Sequence, residues 1–396
     1  MNLLLKLFLM QLLWFGIIVA IFYIRQIFYM RISYKKYTIL FILLITAVSL
    51  PGYSQQAKGY YRNQMLQLQQ AIEENYYDPT SGFYKETVVI EKGKNPYSYL
   101  WPLCGLIQAN NEIEKVSKKA GLLLKTLKII QQYYDTSLPA PGYASYIMKF
   151  KGGDRFYDDN QWIGIACMDA YARLKKKSYL SVGTVVYKYM MTGFDTVSNG
   201  GLYWQENKKT SKNTCSNGPG IILAMQLYKA TKDRSYLDTA KLLYNWVNEK
   251  LKAPNGLYYD NINVKTSKIA RQMYSYNTGT MLQSNVYLYE LTGEEKYLND
   301  AVSIADSAIN YFNSNGKFRD SYWFNAVLLR GYQHLLQYKK DTKYILAFKN
   351  CVDNALRNNM NDLKLMGKEK TLDLVAQSGM LEILARFAYL ENQYDL

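Results

Sequence analysis

Two adjacent carboxylates, Asp158 and Asp159, stand in the run Phe156-Tyr157-Asp158-Asp159-Asn160-Gln161-Trp162, with aromatic side chains on both sides. A paired acid of this kind suits glycosidic hydrolysis, in which one carboxyl protonates the leaving oxygen while the other attacks the sugar or activates water. The aromatic neighbours suit it too, because the C–H face of a pyranose packs on a flat apolar ring. Helix capping is the competing reading: Asp is a favoured N-cap, and an acid in the first turn gains from the helix dipole. The pair lies where a glycine-rich stretch (Lys151, Gly152, Gly153) gives way to the helix-like run from Ile163 to Leu174, so both readings start from the same local structure.

Other chemistries are thinly represented. The chain has one histidine, His334, which excludes a metal site built on several histidines and catalysis by a histidine pair. It lies in a helical run and reads as a packing residue. The four cysteines (Cys104, Cys167, Cys215, Cys351) are widely spaced among apolar neighbours, without metal-binding spacing, and read as buried free thiols. No metal and no cofactor are therefore expected. The formal charge of +16 is spread in pairs and triplets such as Lys175 to Lys177, which read as solvated faces rather than a nucleic-acid stripe. The 39 tyrosines offer flat faces to a sugar, although most serve packing.

The elements that must hold the acids are helices. Apolar residues recur about every 3.6 positions, predicting twelve helices at 63–75, 98–110, 114–134, 159–173, 178–192, 217–229, 235–251, 276–290, 295–313, 320–338, 342–359 and 372–389. A weak repeat runs through them: Tyr179-Leu180, Tyr236-Leu237, Tyr297-Leu298 and Tyr344-Ile345 each open a helix, and glycine-aromatic turns recur at Gly82, Gly201, Gly256 and Gly316. Such recurrence signals a helical array or closed toroid. One set is amphipathic, as in Leu237, Ala240, Tyr244, Val247 and Leu251 along one stripe. The other is apolar nearly all round, as in Ile221 to Leu227. Six outer and six inner helices make an all-α (α/α)6 barrel. The long connections (76–97, 135–158, 193–216, 252–275) lead into the inner helices and the short ones (111–113, 174–177, 230–234, 291–294) leave them, so the long loops gather at one end, where binding and catalysis tend to lie. Asp158 and Asp159 fall at that end. So do Trp101, Tyr143, Trp204, Gln205, Asn213, Asn217, Tyr276, Asn277 and Trp323, all suited to a sugar cleft.

The first 54 residues carry Lys6, Arg25, Arg31, Lys35 and Lys36 and no acid. Residues 30–54 have the shape of an export signal: Met30, then Arg31, Lys35 and Lys36, an apolar core from Tyr37 to Leu50, and small residues Gly52 and Ser54. Residues 1–29 read as an upstream apolar segment, either untranslated or an anchor. The expectation is an exported, monomeric, single catalytic domain over 55–396, touching a membrane only if the N-terminal segment is retained.

Three motifs in order, Tyr157-Asp158-Asp159 with Trp162, Lys212-Asn213-Thr214-Cys215-Ser216-Asn217-Gly218-Pro219, and Tyr276-Asn277-Thr278-Gly279, each at the mouth of an inner helix, resemble the family 76 glycoside hydrolases. The resemblance covers about residues 60 to 390 and implies an (α/α)6-barrel endo-α-1,6-mannanase acting on mannan. It implies Asp158 as nucleophile and Asp159 as acid/base of a retaining mechanism, with Tyr157, Trp162, Asn217, Tyr276 and Asn277 near the substrate; Trp101, Trp204, Gln205 and Trp323 are added from loop position. Where family members often have two aromatics after the acid pair, this chain has Trp162 followed by Ile163. Two other functions compete. An unsaturated uronyl hydrolase on the same barrel would need a basic subsite, for which Arg155, Lys212 and Arg271 are available. A non-catalytic glycan-binding protein would need no acid pair.

Overall fold

The computed structural model describes residues 59–117, 119–369 and 371–394, with scattered positions 18, 20–22 and 24–26 near the N-terminus. The segments read as an upstream run and an export signal otherwise lie outside the described residues. Lys58–Leu396 forms one compact unit, and no described helix is long and apolar enough to cross a membrane.

Twelve helices make up this unit among the described residues: α1 (Tyr60–Tyr76), α2 (Leu100–Ser117), α3 (Leu122–Ile130), α4 (Tyr157–Leu174), α5 (Lys177–Met191), α6 (Thr214–Thr231), α7 (Arg234–Leu251), α8 (Ser275–Thr292), α9 (Glu295–Phe312), α10 (Tyr322–Lys339), α11 (Lys343–Asn359) and α12 (Leu374–Leu390). The even-numbered helices close a ring, α2 on α4, then α6, α8, α10, α12 and back to α2, and each odd-numbered helix packs outside an even one. This is an (α/α)6 barrel. Burial follows the sequence pattern: α6 is buried from Thr214 through Leu227, whereas α7 buries one face that includes Leu237, Ala240, Tyr244, Val247 and Leu251. Glycine lets inner helices approach closely. A Cβ on Gly279 of α8 would lie 2.7 Å from the Leu328 backbone of α10. The tyrosine repeat has a packing role, since Tyr236 of α7 meets Tyr187 of α5 edge-on at 4.6 Å and Tyr297 of α9 meets Tyr244 of α7 at 5.7 Å.

One helix boundary departs from the expectation. The predicted break at 111–113 lies inside α2, and the turn falls instead just before α3, where Gly121 takes φ 100°. Asn110 and Asn111 suggest a break locally, yet tertiary partners hold them in the helix: Asn110 donates to Thr126 at 2.9 Å and Asn111 accepts from Arg173 at 2.8 Å. Glu114 then accepts the free N–H groups of Gly121 and Leu123.

The inner helices run parallel, so their N-termini share one end with the long loops. Short antiparallel ribbons stiffen that end: β1 (Tyr77–Asp78) with β2 (Phe83–Tyr84), β3 (Tyr134–Asp135) with β4 (Gly142–Tyr143), and a three-stranded sheet of β5 (Ser211–Asn213), β6 (Tyr259–Asn263) and β7 (Ile269–Met273). In that sheet Asn213 pairs with Asn261 and Ile262 with Ile269. A recurrent amide clasps the loops onto the helices. Asn160, Asn217, Asn325 and Gln377, each the fourth residue of its inner helix, bond backbone groups of the incoming segment; Asn160 takes the Tyr143 N–H at 2.7 Å and gives to its carbonyl at 2.9 Å.

Candidate active site

A cavity of about 590 Å³ opens at the loop end of the barrel. Asp158 and Asp159 reach it from the first turn of α4, and Trp162 from the second. The N-cap of α4 is Phe156, whose side chain makes no cap bond. The Asp pair therefore sits inside the helix, and the capping reading fails: what the helix start gives these residues is a favourable dipole for one negative charge.

Their surroundings split the two acids. Asp158 accepts from the Trp204 indole N–H at 3.1 Å and from the Asp159 amide at 3.1 Å, and the Cys215 thiol donates to it as well. Burial pushes its carboxyl up to about 6, and these donors hold it from rising further. Asp159 has no such donor; burial and the adjacent Asp158 charge push it well above the usual carboxylate range. Of the two, Asp158 is the one that ionises more readily and Asp159 the one that holds its proton more tightly. The two titrate as a unit, so macroscopic values belong to the pair.

The loop carrying Trp204 is docked on purpose-built contacts. The Tyr157 amide donates to the Trp204 carbonyl at 3.0 Å, and Asn217 holds Leu202 by both its N–H and its C=O. Opposite, Trp323 of α10 meets Trp162 and Trp101 edge-on at 5.3 and 5.6 Å, with Tyr276 and Phe324 closing the wall at 4.1 Å from each other.

Of the residues singled out from sequence, Asp158, Asp159, Trp101, Trp162, Trp204, Tyr276, Trp323 and Asn213 line the cavity. Tyr157, Gln205, Asn217 and Asn277 do not. A helix turns about 100° per residue, and Tyr157 points away from Asp158 to stack on Tyr189 at 5.1 Å. Gln205 alternates away from Trp204 and bonds Asp154 at 2.5 Å. Asn217 is spent on Leu202 and Asn213, and Asn277, fully buried, faces Asp260 at 3.5 Å. Tyr143, in β4, is buried and is not part of the wall.

A third acid was not read from the sequence. Asp260 of β6 lines the cavity, accepts from Asn261 at 2.8 Å, and is raised by burial, with Asn261 and Asn277 opposing. The run Tyr258-Tyr259-Asp260-Asn261, an acid between aromatics and an amide, was the available signal. Phe156, Tyr274, Phe324 and Tyr99 also line the wall. They are ordinary aromatics in sequence, and only the folding of distant loops sets them together.

Among the described residues no Lys, Arg or His lines this cavity. Arg155 is buried and bound to Glu206 and to the Ser137, Leu138 and Ala140 carbonyls. Lys212 is buried and bound to Asp195, Val197 and Gly200. Arg271 is exposed on β7, away from the wall. The four cysteines are buried free thiols, as expected.

Residues 60–343 match the sequence model of glycosyl hydrolase family 76. The chain belongs to this family. Family 76 relatives include the mannan endo-1,6-alpha-mannosidase DCW1 of Candida albicans, 33% identical over 173 residues, or 40% of this chain and 38% of that protein. The corresponding DCW1 of Saccharomyces cerevisiae is 30% identical over 35% of this chain and 34% of its own. This chain thus spans roughly two fifths or less of the curated relatives it matches. Among solved structures, the family 76 mannosidase Bt3792 of Bacteroides thetaiotaomicron aligns with TM-score 0.77 at 26% identity, over 84% of this chain and 99% of that one. An inactive variant of the α-1,6-mannanase of Salegentibacter sp. HEL1_6, in complex with α-1,6-mannotriose, has the same fold with TM-score 0.71 at 23% identity, over 83% of this chain and 99% of that one.

Proposed function

We propose that this chain hydrolyses α-1,6-mannosidic linkages of mannan by a retaining mechanism, with Asp158 as nucleophile and Asp159 as acid/base. The observation that carries the proposal is the asymmetry of the acid pair: Trp204, Cys215 and backbone amides donate to Asp158, and among the described residues no donor reaches Asp159. A carboxylate ready to attack beside a carboxyl still holding its proton is what the first step requires. Asp159 protonates the departing oxygen while Asp158 forms the glycosyl ester. Asp159, now a carboxylate, then takes a proton from the water that releases the sugar. Trp204 and Trp101, the exposed tryptophans of the wall, supply ring faces for the pyranose, Trp162 and Trp323 pack behind them, and Asp260 is an acceptor for its hydroxyls.

Substrate class follows from the wall. A cavity that holds the Asp158 carboxylate and, among the described residues, no cation to pair a sugar acid disfavours a uronic acid and accepts a neutral sugar, which disfavours the uronyl hydrolase. Mannose, and the α-1,6 linkage, come from the names of the family 76 relatives and from the mannotriose bound by the Salegentibacter enzyme. The export expected of residues 30–54 suits a polymer that stays outside the cell.

The test offers the purified chain unbranched α-1,6-mannan, a branched mannan and a uronic-acid oligosaccharide. Release from the unbranched mannan is expected and none from the uronic acid. Asp158→Asn should lose activity by several orders of magnitude while staying folded, because an amide cannot form the ester. Asp159→Asn should lose roughly 10²- to 10⁴-fold on mannan but retain more on an aryl mannoside with a good leaving group, and azide should then accelerate its second step. Near-wild-type turnover by a folded Asp158→Asn protein would end the assignment.

A further inference from the structure

Aromatic rings continue out of the cavity. Tyr99, on the cavity wall, is 42% exposed, and beyond it rings follow in single file. Tyr99 lies 5.2 Å from Tyr146, Tyr146 lies 6.4 Å from Phe150, Phe150 stacks on Tyr97 at 5.6 Å and 26°, and Tyr97 lies 5.0 Å from Phe83. Phe150 is itself 42% exposed. These rings come from two loops remote in sequence, at the entries to α2 and α4.

The row is held firmly. Glu86 accepts the Tyr99 amide at 2.8 Å and the Ser98 hydroxyl at 3.1 Å, and the Leu100 amide donates to the Ser145 carbonyl at 2.9 Å. The Tyr146 hydroxyl accepts the Tyr97 amide, and the Tyr99 hydroxyl accepts from Asn95 at 2.6 Å.

We infer that this row, Tyr99 to Phe150, is an extension of the binding cleft that holds further sugar units of a neutral polysaccharide whose scissile bond lies at Asp158. Continuity with the cavity through Tyr99 identifies the occupant: the ligand that enters the cavity is the one that must pass over these rings. Tyr99 and Phe150 present the exposed rings, half-buried Tyr97 packs against Phe150, and buried Tyr146 ties the two loops together beneath them; exposed ring faces with hydroxyl and amide groups at their edges suit pyranose units. The consequence is a preference for long chains, expressed in KM. The inference rests on the hydrolase reading for its linkage but not for its chemistry of recognition.

The experiment compares the full chain with Phe150→Ser and Phe150→Trp, Phe150 being outside the cavity wall. On long unbranched α-1,6-mannan, Phe150→Ser should raise KM about five- to tenfold with kcat unchanged, the size of one lost stacking contact. Its kinetics on α-1,6-mannotriose should match the parent, and Phe150→Trp should restore the polymer KM. An unchanged polymer KM, or equal losses on polymer and trisaccharide, would overturn the inference. If the parent chain cleaves no mannan, the hydrolase reading fails separately, and native gels cast with mannan, dextran or a β-glucan then decide: retardation of the parent by one of them, reduced in Phe150→Ser, supports the row, and no retardation by any overturns it.

Discussion

At the N-terminal end of the inner helices, Asp158, Asp159 and Asp260 face an aromatic-walled cavity without a cation. At the C-terminal end a second cavity, of about 680 Å³, is lined by Glu112, Asp169 and Glu290 together with Arg173, Lys229, Arg330 and Arg386. Both ends bury carboxylates, with opposite results. Burial raises all three acids at the first end. At the second, burial is outweighed: Arg386, Lys115 and Arg330 hold Glu112 down at about 2, and His334 and Lys229 hold Glu290 at about 2. Glu382 is the exception, raised by a burial that Arg386 does not fully offset. The helix dipoles point the same way, because six C-termini favour the cations gathered there and six N-termini do not. The lesson is that a buried acid is raised or held down according to its partners, and, Glu382 apart, the barrel keeps the two kinds at opposite ends.

The largest way to break this contrast outside the catalytic pair is at the structural end. Arg330 binds Asp169 at 2.5 Å and Gln283 at 3.0 Å. Arg330→Met should cost roughly 3–5 kcal/mol in chemical denaturation, since it leaves a largely buried carboxylate uncompensated. The pH limits of catalysis should not move. A shifted profile with unchanged stability would mean that the two ends are coupled.

Linkage sharpens it next. The folded pKa of Asp158 lies above its unfolded value near 3.8, so wild-type stability falls as pH rises from about 4 through about 6. Asp158→Asn removes that cost and should gain about 2 kcal/mol at pH 7 relative to pH 4. Glu112 and Glu290 have the opposite sign. Their contribution is present above pH 4.5 and is lost as pH falls toward about 2. Melting temperatures of Asp158→Asn and of Glu112→Gln across pH 2.5 to 7, referred to wild type, should therefore diverge in opposite directions; parallel curves would refute the contrast.

The smallest effect concerns one hydrogen bond. Trp204→Phe keeps the ring and removes the indole N–H from Asp158. The acid limb of kcat/KM should move up by about half to one pH unit, within the value of a hydrogen bond to a charged group. A limb that stays in place would mean that Cys215 and the Asp159 amide suffice.

Helix period, the tyrosine repeat and loop lengths were legible in the chain because they are local: burial on one face writes a 3.6-residue rhythm into α7, and all-round burial erases it from α6. The Asp158-Asp159 pair was legible for the same reason, being contiguous. Asn217 and Asn277, expected near the sugar, bond protein groups behind the wall instead, since an amide in a motif looks alike whether it lines a cleft or clasps a loop. Asp260 and the donors that set the two acids apart were not legible. They depend on β6 folding across the mouths of α6 and α8 and on Trp204 arriving from a loop 46 residues beyond Asp158. Composition and spacing thus determined the barrel and the end of it that carries the long loops and the acid pair. Which acid keeps its proton, and which buried carboxylates do no chemistry at all, was decided by tertiary contacts, because a pKa is set by neighbours in space rather than in sequence.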